Sequence, residues 1–265
     1  MTTEALIRVA VHGAAGRVGR EVLGAVSNER DMRLVAAIDR VPQGDLGPLG
    51  HGVPYFTDAE EAFRATKPHV VVDFTNAAAS MGMVPHAFAN GVRPVIGSTG
   101  WSQQQLDQIA EWARERRTAA FIAPNFTIGA VLLGRLSAIA AKWFDYCEIA
   151  EEHHEKKIDA PSGTALAIAE AVHREHPERF VRNTPEREPL GGTRGGDYHG
   201  ISMHSGRMPG RMARHQVTFG GLGQTLVLTH DTIDRECYMP GVLLAVRRAG
   251  GLDGLVVGLE KLLDV

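Results

Sequence analysis

The sequence predicts an α/β protein. A parallel-sheet domain comes first, and a smaller α/β domain with an open, mainly antiparallel sheet follows. Three observations predict this. Short apolar, β-rich runs alternate with helical patterns as far as Phe126, which is the signature of parallel strands joined by crossover helices. The first run passes through a glycine turn into a helix. Beyond Phe126 one long helical stretch gives way to runs of strands.

The 265 residues allow one large or two modest domains. A hydrophobic fraction of 44% and a charged fraction of 22% match an ordinary soluble globular chain. The net charge of −3 provides no basic field for nucleic acid or anionic membrane. Cys147 and Cys237 lie far apart, so neither a disulfide framework nor a cysteine zinc site is expected. No apolar run approaches the roughly 18–20 residues of a transmembrane helix, and no signal-peptide pattern opens the chain. A cytoplasmic location is expected.

Leu6 to Val11 reads as the first strand. H-G-A-A-G-R-V-G-R follows from His12 to Arg20, with glycines at Gly13, Gly16 and Gly19 and a helical pattern through Val22, Leu23 and Val26. Such a turn lets the backbone approach a pyrophosphate and lets the helix pack closely on the sheet, so a Rossmann-type dinucleotide-binding unit is expected. The spacing is G-x-x-G-x-x-G, with Ala15 where a second glycine usually sits. Leu34 to Ile38 is the second strand and ends in Asp39-Arg40. A carboxylate there can accept from ribose hydroxyls, and the adjacent guanidinium can pair with a 2′-phosphate, so both NADH and NADPH fit. A plain β–α turn and a surface Asp-Arg pair are the blander alternatives.

Pro42 to Gly52 reads as a loop, and Asp58 to Ala65 as a helix. Val70 to Phe74 is a third strand. Ala77 to Asn90 is helical, with Pro85 starting a new turn. Val92 to Ile96 is a strand before G-S-T-G, Gln103 to Arg116 an amphipathic helix, and Ala119 to Ala123 a strand before P-N-F. Ligands of such sheets bind beyond the carboxyl ends of the strands. The segments there are Gly13 to Gly19, Asp39-Arg40, Phe74 to Asn76, Gly97 to Gly100 and Ala123 to Phe126.

Ile128 to Trp143 reads as one helix with Leu132, Leu136 and Ile139 on a face. Tyr146 to Glu151 is a strand. Arg179 to His199 reads as a long mobile loop. Gly200 to His204, Arg214 to Phe219 and Thr225 to His230 are strands, and Pro240-Gly241 opens a helix packing back on the first domain. Hinges are expected near Thr127 to Gly129 and Glu236 to Gly241. The domains are then 1–128 with 237–265, and 129–236. Trp101, Trp112 and Trp143 read as packing residues. His173 and His176, three apart, read as solvated helix surface, and no metal site is expected.

The stretch Glu151 to Ala165, E-E-H-H-E-K-K-I-D-A-P-S-G-T-A, carries the most chemistry. Two imidazoles and two ammonium groups lie within five residues and cover proton transfer and anion binding. Ser162 is a candidate N-cap for a helix running from Thr164 to about His176, whose start offers N–H groups to a carboxylate or phosphate. A solvated basic loop is the plain alternative.

H-H-E-K-K-I-D-A-P-S-G-T-A resembles the signature of the 4-hydroxy-tetrahydrodipicolinate (dihydrodipicolinate) reductase family of lysine and diaminopimelate biosynthesis, especially its actinobacterial branch. V-A-V-H-G-A-A-G-R-V-G-R, V-I-G-S-T-G-W, A-P-N-F-T-I-G-A and P-G-V-L-L-A-V-R-R carry the likeness across nearly the whole chain. The resemblance implies a nucleotide-binding domain, a domain that binds substrate and forms a homotetramer, and reduction of a cyclic dicarboxylate by NADH or NADPH. It implies that His153 and Lys157 are the acid/base pair, that His154 contacts substrate, and that Gly163 and Thr164 bind a carboxylate. Gly13, Ala14, Ala15, Gly16, Arg17, Val18, Asp39, Gly97, Ser98, Thr99, Ala123, Pro124, Asn125 and Phe126 are implied to line the cofactor, with Arg40 partnering an NADPH phosphate. Ser98 stands where the family often has Thr. Lys156 competes with Lys157 for the inward position, and the motif match favours Lys157. The rival functions are another two-domain NAD(P) reductase and a non-catalytic NAD(P) sensor.

Overall fold

The computed structural model describes residues 6–41 and 52–263. The loop expected over Pro42 to Gly52 thus lies, apart from Gly52, outside the described residues. The elements in chain order begin β1 (Ile7–His12), α1 (Arg17–Asn28), β2 (Met32–Ile38), β3 (Tyr55–Phe56), α2 (Ala59–Thr66), β4 (Val70–Asp73), α3 (Ala77–Ala89), β5 (Arg93–Ile96), α4 (Gln103–Glu115) and β6 (Ala119–Ile122). They continue with α5 (Ile128–Ala141), β7 (Tyr146–His153), α6 (Gly163–Glu175), β8 (Gly196–Tyr198), β9 (Ile201–Arg207), β10 (Ala213–Gly221), β11 (Gln224–Thr232), α7 (Met239–Arg248) and β12 (Gly254–Val257). Two compact units result: one runs to Thr127 and resumes at Tyr238, and the other is Ile128–Cys237.

The first unit is a seven-stranded sheet of order β12-β6-β5-β4-β1-β2-β3 in which every pair is parallel. The chain winds outward from β1 to β3, then restarts on the other side of β1 at β4. That reversal opens a crevice at the carboxyl ends of β1 and β4. All four residues of β4 and of β6 are buried, as strands covered on both faces require. Phe63, Met83, Phe88, Ile96, Ile109 and Ile122 fill the space between sheet and helices. Each such side chain stabilises by about 1.5–3 kcal/mol on burial. Ser102 and Gln105 form a reciprocal capping box on α4.

Pro85 does not start a new turn. It lies inside α3, which runs unbroken from Ala77 to Ala89. Met83, Val84, Ala87 and Phe88 are buried on either side of it, and their packing outweighs the ~3 kcal/mol cost of an interior proline. The two-residue β3 and the closing β12 were not anticipated. β12 pairs with β6 but follows a glycine-rich turn whose local signal is weak.

The second unit is a five-stranded sheet of order β11-β10-β7-β9-β8. It is antiparallel throughout except between β7 and β9. Helices α5 and α6 pack together beside it, around Leu133, Ile149, Ile168, Val172, Phe180, Val217 and Phe219. On the face read from the sequence Leu132 is half-buried, Leu136 and Ile139 are exposed, and so is Trp143 at 80%. α5 buries Ala130, Leu133, Ser137, Ala138, Ala140 and Ala141 instead. Helix α6 packs alongside, and a Cβ on Gly134 would make only an ordinary contact with Ile168 at 3.9 Å. Trp143 lies beyond the end of α5 and is not a packing residue of this unit, whereas Trp101 and Trp112 do pack on the first unit's core.

The segment 179–199 is not a featureless loop. Phe180 is buried, β8 pairs with β9, and Arg182 donates to the carbonyls of Arg194 and Gly195. His173 and His176 are also more than solvated surface. His173 stacks on His199 at 3.8 Å and His176 on Phe180 at 4.2 Å.

Candidate active site

In the first unit the segments singled out from sequence lie at the carboxyl ends of five adjacent strands. Gly13 and Ala14 both donate to the carbonyl of Ile38, joining the ends of β1 and β2. Gly13 has a φ of +81°, and a Cβ there would meet Thr75 Cγ2 at 2.9 Å. Gly16 starts α1 with no side-chain cap, and the first turn carries no acidic residue. Its N–H groups are therefore available to an anion. A Cβ on Gly19 would sit 2.0 Å from the Gly13 carbonyl oxygen, so only glycine lets α1 pack this close. Asp39 is half-buried and Arg40 exposed. Asp39 Oδ2 accepts from Ala15 N at 3.0 Å, and Oδ1 from Val41 N at 3.3 Å.

At the next strand ends, Gly97 N donates to the Asp73 carbonyl and Ala123 N to that of Ile96. A Cβ on Gly97 would penetrate the Phe74 ring, and Phe74 in turn packs on Phe126 with centroids 5.5 Å apart. Ser98 is buried and pairs with Ser80 at 2.9 Å, while Thr99 and Pro124 are exposed. Asn125 accepts from Thr127 N. The whole rim combines glycine backbone, a bare helix start and one carboxylate, which fits a dinucleotide.

In the second unit strand register builds the site. Cys147, Ile149, Glu151 and His153 share the buried face of β7, because alternate residues point the same way. His215 on β10 lies opposite Glu151, and Arg207 on β9 lies beside His153. Glu151 Oε2 meets His153 Nδ1 at 2.5 Å. Arg207 donates to both carboxylate oxygens, at 3.0 and 2.8 Å, and Ser162 N donates to Oε1 at 3.2 Å. Ser162 caps α6 by accepting from Ala165 N, and its hydroxyl pairs with His215 Nε2 at 3.1 Å. The Ala160–Pro161 peptide bond is cis. Gly163 is exposed and Thr164 half-buried at the start of α6.

Burial alone would raise the Glu151 pKa, but hydrogen bonds from Arg207, Ser205 and His153 overcome it and hold the carboxyl below its usual range. Burial lowers the His153 pKa. Glu151 opposes this, Lys157 and Arg207 add to it, and the net shift is downward. His215 is pushed down to about 4, chiefly by burial and then by His153. Lys157 is half-buried and paired with Asp159 at 2.7 Å, whereas Lys156 is exposed. His154, past the end of β7, is half-buried. Ligand-type atoms of Glu151, His153 and His215 gather within 4.8 Å. The Arg207 guanidinium already supplies on that carboxylate the positive charge a cation would bring.

Both halves of the chain match family models, dihydrodipicolinate reductase N-terminus over residues 7–126 and C-terminus over residues 129–263. The chain belongs to the dihydrodipicolinate reductase family. The 4-hydroxy-tetrahydrodipicolinate reductase of Desulfitobacterium hafniense (strain DSM 10664 / DCB-2) is 44% identical, over 97% of this chain and 99% of that one. The Moorella thermoacetica enzyme of the same name is 43% identical over 98% and 99%. The dipicolinate-bound dihydrodipicolinate reductase from Paenisporosarcina sp. TG-14 superposes with a TM-score of 0.89, at 39% identity, over 97% of this chain and all of that one. An amine dehydrogenase from Mycobacterium smegmatis, 14% identical with a TM-score of 0.64 over 94% of each chain, shares the fold alone.

Within this reductase framework, sequence reasoning did not single out Arg207 or His215, and it passed over Glu151. The signal for Glu151 was present, since it continues the apolar alternation of Cys147 and Ile149 into His153. Arg207 and His215 carried none, because only sheet pairing brings them there. Among the described residues no helix is long and apolar enough to cross a membrane.

Proposed function

We propose that the chain reduces 4-hydroxy-tetrahydrodipicolinate (dihydrodipicolinate) to tetrahydrodipicolinate with NADH or NADPH, in lysine and diaminopimelate biosynthesis. The match of both halves to one reductase family carries this reading. Loss of the 4-hydroxyl as water leaves the conjugated ring; when bound, the reduced nicotinamide would supply a hydride to that ring, and one proton completes the reduction, leaving NAD(P)⁺. In the first unit Gly13 to Val18 receive the pyrophosphate, Asp39 the adenosine ribose, and Arg40 the 2′-phosphate when present. Gly97, Ser98, Thr99 and Ala123 to Phe126 line the nicotinamide half.

In the second unit Lys157, His154 and the N–H groups of Gly163 and Thr164 bind the substrate carboxylates and draw charge from the ring as hydride arrives. His153 donates the proton to the ring carbon. In the free protein, burial and the neighbouring cations lower its pKa. A bound dicarboxylate adds negative charge beside it and raises its proton affinity when the proton is needed. The likeness to the family further supports a cytoplasmic homotetramer with no nucleic-acid or membrane partner.

The test is steady-state turnover of freshly generated substrate with each cofactor, for wild type and His153→Gln. Loss of kcat in the variant with unchanged NADH binding is expected. Absence of turnover by the wild type with either cofactor would sink the reading, and full turnover by the variant would remove His153 from the proton step.

A further inference from the structure

Two strands outside the signature stretch, and the helix cap within it, converge on His153. β9 brings Arg207, β10 brings His215, and the cap of α6 brings Ser162. All three reach the Glu151–His153 pair or its neighbour, and Glu151 is 1% exposed. We infer that Glu151 and Arg207 are a positioning pair for His153: a carboxylate fixed by two guanidinium hydrogen bonds holds the imidazole with its proton on Nδ1, leaving Nε2 as the nitrogen that exchanges a proton with substrate. This rests on the reading of His153 as proton donor and deepens it.

The chemistry runs as follows. A carboxylate held by a bidentate guanidinium is ionised and can only accept. At 2.5 Å, His153 Nδ1 must therefore be the donor to Glu151 Oε2. A neutral imidazole with its proton on Nδ1 has its lone pair on Nε2, and a second proton taken there is the one to be delivered. Glu151 also stabilises the imidazolium. Among the described residues facing the ring, Glu151 is the anion that favours the charged form, whereas Arg207 on β9 and Lys157 in the following turn disfavour it, and His215 on β10 packs edge-on against the ring. Arg207 also donates to the Asp159 carbonyl, and Ser162 N donates to Glu151 Oε1. One carboxylate thus sets the proton donor and the start of α6 in register. Glu151 and Arg207 touch no substrate in this scheme and act through His153.

The first experiment needs no variant at Glu151. Long-range ¹H–¹⁵N spectra of histidine-labelled wild type, with His153→Gln supplying the assignment, report which ring nitrogen is protonated. The Nδ1–H tautomer is expected, and an Nε2–H tautomer overturns the proposal. The second is Glu151→Gln. Its amide can donate to Nδ1 and so favour the wrong tautomer, as the analogous change does in a serine-protease triad. A kcat loss on the order of 10²-fold is expected, with NADH affinity unchanged and substrate KM within about threefold, since Oε1 can still accept from Ser162. The pH at which activity falls as His153 loses its proton should move lower. Glu151→Asp should recover part of kcat and return that limb toward wild type. An unshifted profile with wild-type kcat in Glu151→Gln overturns the pair. If wild type itself fails to turn over the substrate, the functional reading fails, and the tautomer measurement still decides the positioning.

Discussion

Asp39 accepts a hydrogen bond from the backbone N–H of Ala15 at 3.0 Å, so the residue after β2 braces the glycine turn after β1. The position that should read the ribose therefore also shapes the phosphate loop. Asp39→Ala should raise the NADH Kd roughly tenfold or more, the scale of losing a hydrogen bond to a charged group. Arg40→Ala should weaken NADPH and leave NADH nearly unchanged. Fluorescence titration with the two cofactors separates these outcomes, and equal losses for both cofactors in both variants would refute the division of labour.

Gly19→Ala tests close packing rather than backbone freedom. Its Cβ would lie 2.0 Å from Gly13 O and 2.8 Å from Gly13 C, and backbone atoms cannot swing aside. A stability loss of about 1–3 kcal/mol is expected from forcing α1 outward, with weaker NADH binding because the turn must move too. Thermal unfolding with and without NADH measures both, and an unchanged Tm would show that α1 tolerates the methyl group.

The neighbouring lysines give a third contrast. Lys157 is half-buried and held by Asp159, while Lys156 is exposed. Lys157→Ala should raise substrate KM and lower kcat by on the order of 10²-fold in kcat/KM, and Lys156→Ala should stay within about twofold. Steady-state kinetics on the two variants decides which ammonium group serves the site.

His215 makes a pH prediction. Its folded pKa is about 4, against an ordinary value of 6.5. Below 6.5 the unfolded chain takes up a proton that the folded protein refuses until about pH 4. Stability is therefore full above about 6.5 and is lost as pH falls toward 4, by on the order of 3 kcal/mol from this residue. His215→Asn should flatten the dependence of unfolding free energy on pH in that window. It should not abolish it, because His153 and His230 are shifted in the same direction. Denaturant unfolding at a series of pH values is the check, and an equal slope in both proteins would show that folding leaves the His215 pKa unshifted.

Much of this was legible from sequence. The alternation of apolar runs with helical patterns as far as Phe126, the glycines at Gly13, Gly16 and Gly19, and the Ser162 cap are local features, and local sterics and hydrogen bonding set them. The signature around His153 and Lys157 pointed to the family because it is one continuous segment. Sequence by itself thus determined the fold class and the segments at the strand ends, and it singled out the stretch proposed for proton transfer. Tertiary structure alone decided which side of α5 is buried, because the partners that cover Ala130, Leu133 and Ser137 are distant in sequence. It alone carried α3 through Pro85. It alone gathered Arg207 and His215 to Glu151 and His153, since strand pairing across 54 and 64 residues of chain depends on sheet register, which no local pattern encodes.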